Sequence, residues 1–392
     1  MKKVGIIGAG IAGLTCGYRL SQKGINVIIF EKQVLVGGRV PFAGAVATET
    51  FHPRLISLIK ELGLEELKVP LLKNEHGLLT SEGKLVEIGR HIMGAMRKSG
   101  LRGTMYFMRL NRLINKVRFD IESFDPQLVK IRNISFEEYL KDCPTAIRKL
   151  IIEPFMLFTF GADLSEISAE YGMTHMRLGN ELGSGKSFTF EENNISTVTN
   201  LLEVKLREEG AQVLTSAKVT KISKNEDKFT IFYEQEGEKT EEVDTVVLAI
   251  PLNEVKNIFP ELNLESDVDY HDTKCIFVEG KLRWPDKKFI MGMPGNPVNL
   301  RALFNVVPYS QLVYPMDESK EVDLEKLYDE YKIIGEEEIK PAMPIIGPNA
   351  KVPGLTTEMK GVYLCGDFYY YSSLETSVAT AEKVADLISK EV

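Results

Sequence analysis

The chain has 392 residues, 44% of them hydrophobic and 27% charged, and carries a net charge of −8 at pH 7. That length holds two domains with a sizeable core, and the acidic balance excludes general nucleic-acid binding, which needs a basic surface. The four cysteines, Cys16, Cys143, Cys275 and Cys365, form no C-x-x-C and no zinc spacing, so reduced thiols, a cytoplasmic protein and no metal site are expected.

Lys2-Lys3 and the uncharged stretch to Tyr18 imitate a signal peptide, but five glycines interrupt that stretch and no cleavage site follows. No run of about 18 apolar residues occurs, so no transmembrane helix is expected. The same residues spell a different device. Val4-Gly5-Ile6-Ile7 predicts a strand that ends in Gly8-Ala9-Gly10-Ile11-Ala12-Gly13, with an apolar helical pattern running on to Leu20. Strand, glycine turn and helix in this order predict dinucleotide binding, with the pyrophosphate against the helix N-terminus. A second strand, Ile25 to Phe30, ends at Glu31, whose carboxylate is placed to accept from a ribose diol; Lys32 follows it. Gly37-Gly38-Arg39 is a second glycine device. Its guanidinium suits a pyrophosphate bidentately, which favours FAD over a nicotinamide dinucleotide.

Further along, Val198 to Glu209 predicts an amphipathic helix and Gly210 to Leu214 a parallel strand. Val219 to Ser223 and Phe229 to Glu234 predict antiparallel strands, followed by buried-type strands at Thr245 to Ile250, which contains Ala249, and at Gly361 to Asp367. Leu374 to Ile388 predicts the last helix. Residues 1–75, 198–265 and 345–392 thus compose one discontinuous cofactor domain. Residues 76–197, helical in period, and 266–344, read as short antiparallel strands and connections, compose a second domain that faces the substrate.

From Arg90 to Arg118 the chain holds Arg90, Arg97, Lys98, Arg102, Arg109, Arg112, Lys116 and Arg118 with no acidic residue, interleaved with Met93, Met96, Leu101, Met105 and Met108. This mixture fits a peripheral contact with anionic lipid, the mouth of a site for a hydrophobic anion, or an ordinary solvated basic face. Phe155 to Gly161 is an apolar run that suits a pocket lining or core packing equally. His52 and His175 are read as structural.

These pieces in this order resemble the flavin-containing amine oxidase superfamily, which includes monoamine and polyamine oxidases, protoporphyrinogen oxidase and the phytoene desaturases. The resemblance implies an α/β fold: a Rossmann-like FAD-binding domain, with a parallel sheet and a small antiparallel meander, carrying an inserted α+β substrate domain. It implies FAD contacts at Gly8, Gly10, Ile11, Ala12, Gly13, Glu31, Lys32, Gly37, Gly38, Arg39, Val219, Ala249, Gly366, Asp367, Leu374, Glu375 and Ser377. Thr376 and Ser377 depart from the family's usual Gly and Ala, and Ser373 falls where monoamine oxidases place one wall of an aromatic cage. No Cys lies at the monoamine oxidase linkage position, so noncovalent FAD is expected. Lys274 matches the family lysine that holds a water near flavin N5, or else is a solvated strand residue. Tyr371, in Tyr369-Tyr370-Tyr371, presents a ring to the flavin or packs the domain seam.

The leading expectation is an FAD-dependent oxidoreductase that dehydrogenates or desaturates a largely apolar or amphipathic small molecule by hydride transfer to flavin N5, with the protein positioning the substrate. Asp163 to Ala169 looks like the protoporphyrinogen oxidase and desaturase branch. The alternatives are a flavin amine oxidase, a redox-neutral flavin isomerase and a non-catalytic flavoprotein. Residues 90–118 make peripheral membrane association the one expected departure from a cytoplasmic location.

Overall fold

Five short strands run parallel in the spatial order Val362–Leu364, Thr245–Leu248, Lys3–Ile7, Asn26–Phe30, Gln212–Leu214. Their side chains alternate between two cores, as a period of two requires. Val4, Ile6, Val27, Ile29 and Val247 pack under the helices Ile11–Ser21, Ser196–Glu208 and Leu374–Glu391. Ile7, Ile28, Phe30, Val246 and Leu248 pack on the opposite face against the meander Lys218–Asn225, Lys228–Glu234 and Glu238–Val243. Burial on both faces explains the unbroken β-branched runs that the sequence shows at these strands. The computed structural model describes every residue except 1, 41–47, 50–51, 118–120, 122–125, 185, 191–194, 308–309, 370 and 392.

A seven-stranded sheet forms the second half, in the order Tyr328–Ile345, Asp269–Leu282, Ser310–Pro315, Leu300–Val307, Phe289–Gly292, His76–Leu79, Leu85–Val86. Its pairs are antiparallel apart from Phe289–Gly292 against His76–Leu79. Two of these strands correct the expectation of short elements: Asp269–Leu282 has 14 residues and Tyr328–Ile345 has 18. They pair along almost their whole length, and three register shifts break the alternation that would have marked them in the sequence. One shift separates His271, opposite Met343, from Thr273, opposite Ile339.

Helices cover this sheet. Glu153–Phe160 follows a π-helical turn, Arg148–Ile152, and ends at Gly161 in the left-handed region. Ala169–Ser184 packs with it around Phe136, Ile147, Ile152, Met156, Tyr171 and Tyr371. The helix Ile88–Ile114 bends where Gly100 leaves helical geometry, at φ 66° and ψ −167°. Ser187–Phe190 lies within the sequence stretch assigned to the substrate domain, yet it pairs with Thr48–Glu49 and Lys68–Leu71, and its Phe188 and Phe190 join the core under the parallel sheet. Among the described residues no helix is long and apolar enough to cross a membrane.

Candidate functional site

The N-terminal glycines form a tight cradle. Gly8 has φ +99°, its N–H donates to Phe30 O at 2.8 Å, and a Cβ on Gly13 would stand 2.0 Å from Gly8 O. Neither position therefore admits a side chain. Gly10 differs: a Cβ there would meet nothing within 4 Å. The protein's own packing does not require glycine at Gly10, so the open side is room for a ligand. Gly10 is the N-cap of the first helix, and no side chain caps it. Ile11, Ala12 and Gly13 thus begin a buried helix whose first N–H groups have no intrahelical partner. Ala249 closes the floor, with its N–H on Ile7 O at 2.9 Å and its Cβ 3.3 Å from the Gly13 position.

Glu31 is buried, and its two oxygens accept from Ala9 N–H at 2.8 Å and Gln33 N–H at 2.9 Å. Its first task is to fix the glycine turn; further lone pairs remain for a ribose. Val219 is brought close to it, because Ala217 N–H donates to Glu31 O at 2.7 Å. Lys32 turns away to pair with Glu254 at 3.0 Å. Gly37 bridges to Gly10 through an N–H bond to Ala9 O at 2.8 Å, and a Cβ on Gly38 would stand 3.2 Å from Gly10 Cα.

Arg39 was expected on the pyrophosphate. In the structure it pairs with Asp367 at 2.7 Å and donates to the carbonyl of Ala342. Two residues predicted on the cofactor phosphates therefore hold each other, and Arg39 ties the cradle to the seven-stranded sheet. Ser372 Oγ donates to the other Asp367 oxygen at 2.8 Å. Thr380 Oγ1 accepts from Gly366 N–H at 3.0 Å, so the last helix holds this segment in place.

At the start of that helix three side chains are engaged within the protein itself. Ser373 Oγ accepts from Thr376 N–H at 3.0 Å; it caps the helix that opens with Leu374, which is why a small hydroxyl stands there. Glu375 accepts from Arg54 N–H at 3.0 Å and Leu55 N–H at 2.9 Å, capping the helix Pro53–Glu61. Burial raises its carboxyl above the ordinary value, and those two N–H groups draw it back down. Ser377 Oγ donates to Ser373 O at 3.1 Å within the first turns.

In the seven-stranded sheet, Lys274 is half-buried and pairs with Glu336 on the neighbouring strand at 2.5 Å. The structure places it as a cross-strand pair. Tyr371 is fully buried in the helical core, with its ring 6.1 Å from His175, so it packs the seam. His175 Nδ1 lies 2.8 Å from Tyr171 O, and His52 Nδ1 lies 3.1 Å from Thr48 Oγ1. Burial lowers both imidazoles, to about 4 and about 3 respectively.

Sequence reasoning missed a cluster on the sheet face under Glu153–Phe160. Thr273 and Cys275 from one strand, Arg301 from another and Tyr314 from a third meet there, with Phe158, Phe277 and Phe304 beside them. His271 stands near by, with Nδ1 4.0 Å from the Gly161 Cβ position and Nε2 3.4 Å from Glu166. One signal was available: Arg301 is the only charge in the apolar strand Leu300-Arg301-Ala302-Leu303-Phe304.

The model of the family described as flavin containing amine oxidoreductase matches residues 11–299. The chain belongs to that family. Protoporphyrinogen oxidase 2 of Arabidopsis thaliana is 35% identical over 74 residues, a stretch covering 17% of this chain and 15% of that protein. Over the full length the fold is shared with a triple mutant of putrescine oxidase, at TM-score 0.73 and 15% identity over 100% of this chain and 99% of that one. It is also shared with a CLA-producing fatty acid isomerase from P. acnes, at TM-score 0.71 and 17% identity over 99% of this chain and 98% of that one.

Membership in this flavin family makes FAD the cofactor, and the residues fit it. An uncapped buried helix start, an open side at Gly10 and a buried carboxylate at the end of the second strand supply donors for a pyrophosphate and an acceptor for a ribose. All four cysteines are free of disulfides and buried, and Cys365 packs against Cys16 beneath the parallel sheet.

Proposed function

We propose that this protein is an FAD-dependent oxidoreductase that dehydrogenates or desaturates a largely apolar small molecule. The observation that carries the reading is the aromatic sheet face. Phe158, Phe277, Phe289, Phe304 and Tyr314 line it, and the strand Asp269–Leu282 leads along it from the seam where Arg39 binds the Ala342 carbonyl. FAD, when bound, supplies the electron-accepting ring. The chain's own residues hold and shield. Gly8, Gly10 and Gly13 admit the pyrophosphate, Glu31 meets the ribose, the Arg39–Asp367 pair locks the sheet against the cradle, and the aromatic face orients an apolar substrate while excluding water. Ser373 as a helix cap speaks against the amine oxidase reading, because it removes an aromatic wall that would orient an ammonium. Anaerobic titration of the holoprotein with isoprenoids, porphyrinogens, fatty acids and amines tests the reading. An apolar non-amine should bleach the flavin, and bleaching by amines alone would reject it. Products compared with and without an electron acceptor separate dehydrogenation from isomerisation.

The helix Ile88–Ile114 supports a second proposal, peripheral contact with anionic lipid. Leu101 is 77% exposed and Met108 62%, and Met93, Met105 and Leu113 are exposed as well. Arg97, Lys98, Arg102, Arg109 and Arg112 are exposed on the same helix. Arg118, the end of the basic stretch, lies outside the described residues. Apolar side chains and cations exposed together suit a lipid surface. The protein should sediment with anionic vesicles in low salt and be released in high salt. Equal recovery with neutral vesicles removes the proposal.

A further inference from the structure

We infer that Arg301 is the receptor for a substrate carboxylate, so that the apolar molecule taken by the aromatic face is a carboxylic acid. This rests on the reading of that face as the substrate surface.

Arg301 is 9% exposed. A buried arginine is normally paired with a carboxylate. Among the described residues none lies within ion-pair distance of this one, and the guanidinium's only hydrogen bond is to Thr273 Oγ1. The remaining N–H donors of its fork are left for a partner. The nearest acidic influence is Glu318, whose carboxylate is already engaged with Lys274 N–H at 3.2 Å. Burial pulls the guanidinium below its ordinary value and Glu318 only partly offsets this.

The backbone is built to aim this side chain inward. Leu300 pairs with Pro315 and Ala302 with Tyr314, so Arg301 is the extra residue of a β-bulge. Bulges redirect a side chain that regular alternation would send elsewhere. Room is kept by Gly161: a Cβ there would stand 2.9 Å from an Arg301 guanidinium nitrogen. On the adjoining strand Tyr314 offers its ring 5.8 Å from the guanidinium carbon, and its buried hydroxyl has only the weakly bonding Cys275 thiol beside it. A planar fork and a hydroxyl engaged only by a thiol, both buried and side by side, match the two oxygens of a carboxylate. Phe158, Phe277, Phe304 and Ile339, half-buried on the same face, are placed for the apolar remainder of the molecule. The same uncompensated cation repels an ammonium, which sets this site against amine substrates.

Calorimetric titration of the holoprotein with decanoate, decan-1-ol and decylamine tests the assignment. Decanoate should bind roughly tenfold or more tightly than decan-1-ol, and decylamine most weakly. Arg301→Met should abolish the preference for decanoate while leaving the affinity for decan-1-ol within about twofold, and Arg301→Lys should keep part of it. Tyr314→Phe, which changes one atom, should lower decanoate affinity alone and serves if Arg301→Met fails to fold. Equal affinities for decanoate and decan-1-ol in the unaltered protein, or a preference that survives Arg301→Met, overturn the assignment. Flavin bleaching reads the dehydrogenase proposal separately: acid binding that follows Arg301 in a protein whose flavin no acid reduces upholds the carboxylate site and rejects the reaction.

Discussion

The cofactor cradle and the seven-stranded sheet treat charge in opposite ways. Around the cradle, Glu31 is held by two backbone N–H groups, Arg39 by Asp367, Lys32 by Glu254 and Glu375 by the start of another helix. Under the sheet, Arg301 meets one hydroxyl and an aromatic ring. The cradle is therefore finished as protein and offers FAD backbone N–H groups and open space. The sheet keeps a charge that only a ligand completes. Changes in the cradle should register as lost stability and lost flavin, whereas changes in the sheet cluster should register as altered binding.

Acid should have the largest effect. His52, at the start of the helix Pro53–Glu61, and His175, in the helix Ala169–Ser184, have imidazoles lowered to about 3 and about 4 by burial. Unfolded, both take a proton near pH 6.5. Between those limits the unfolded chain binds more protons than the folded one, so stability falls as pH drops through 6.5 and the loss is complete near the folded values. At about 1.4 kcal/mol per unit the two sites together amount to several kcal/mol. Melting temperature followed from pH 7 to pH 4.5, with flavin release monitored alongside, should fall steeply, and less steeply in a His52→Asn, His175→Gln variant. A flat profile for the native protein contradicts the account.

Gly13→Ala comes next. Its Cβ would overlap Gly8 O at 2.0 Å, so backbone must move, at the upper end of the about 1–3 kcal/mol that overpacking costs. Purified Gly13→Ala should carry little flavin. Gly10→Ala makes the sharper comparison. It meets no protein atom, so it should melt within about 1 kcal/mol of the native apoprotein and still bind FAD poorly. Normal flavin content in Gly10→Ala would count against the open side as the pyrophosphate position.

Glu375→Ala should cost about 1–2 kcal/mol, because Arg54 and Leu55 N–H groups at the start of the helix Pro53–Glu61 lose their acceptor. If Glu375 instead served the flavin, its removal would change the flavin spectrum at unchanged melting temperature.

Legibility in the sequence followed locality. The cradle was readable because its devices lie within thirty-nine residues, where strand, turn and helix signals occur in register, and the later strands were readable as apolar runs buried on both faces. The substrate cluster gathers residues 161, 271, 273, 301 and 314, brought together by sheet pairing and a bulge that no local pattern encodes. Ser373 shows the hazard of matching by position. Its place suggested a missing cage wall, while in the structure its hydroxyl accepts from Thr376 N–H at the start of the last helix. The strand Tyr328–Ile345 escaped notice because one long exposed stretch, rich in Glu and Lys, reads as connection.

Lys274→Met should have the smallest effect. Alternation along the strand sends Thr273 under the sheet to Arg301 and sends Lys274 to Glu336 on the neighbouring strand. A half-exposed cross-strand pair contributes about 0.2–1 kcal/mol, so the melting temperature should hardly move. Reoxidation of the photoreduced protein by dioxygen should also keep its rate, because a lysine committed to Glu336 is not held over the cradle. A large slowing of reoxidation would return Lys274 to the flavin and require the sheet edge to shift when FAD binds. That outcome would also weaken the contrast between the two halves, since the sheet would then hold a second cation whose role depends on a ligand.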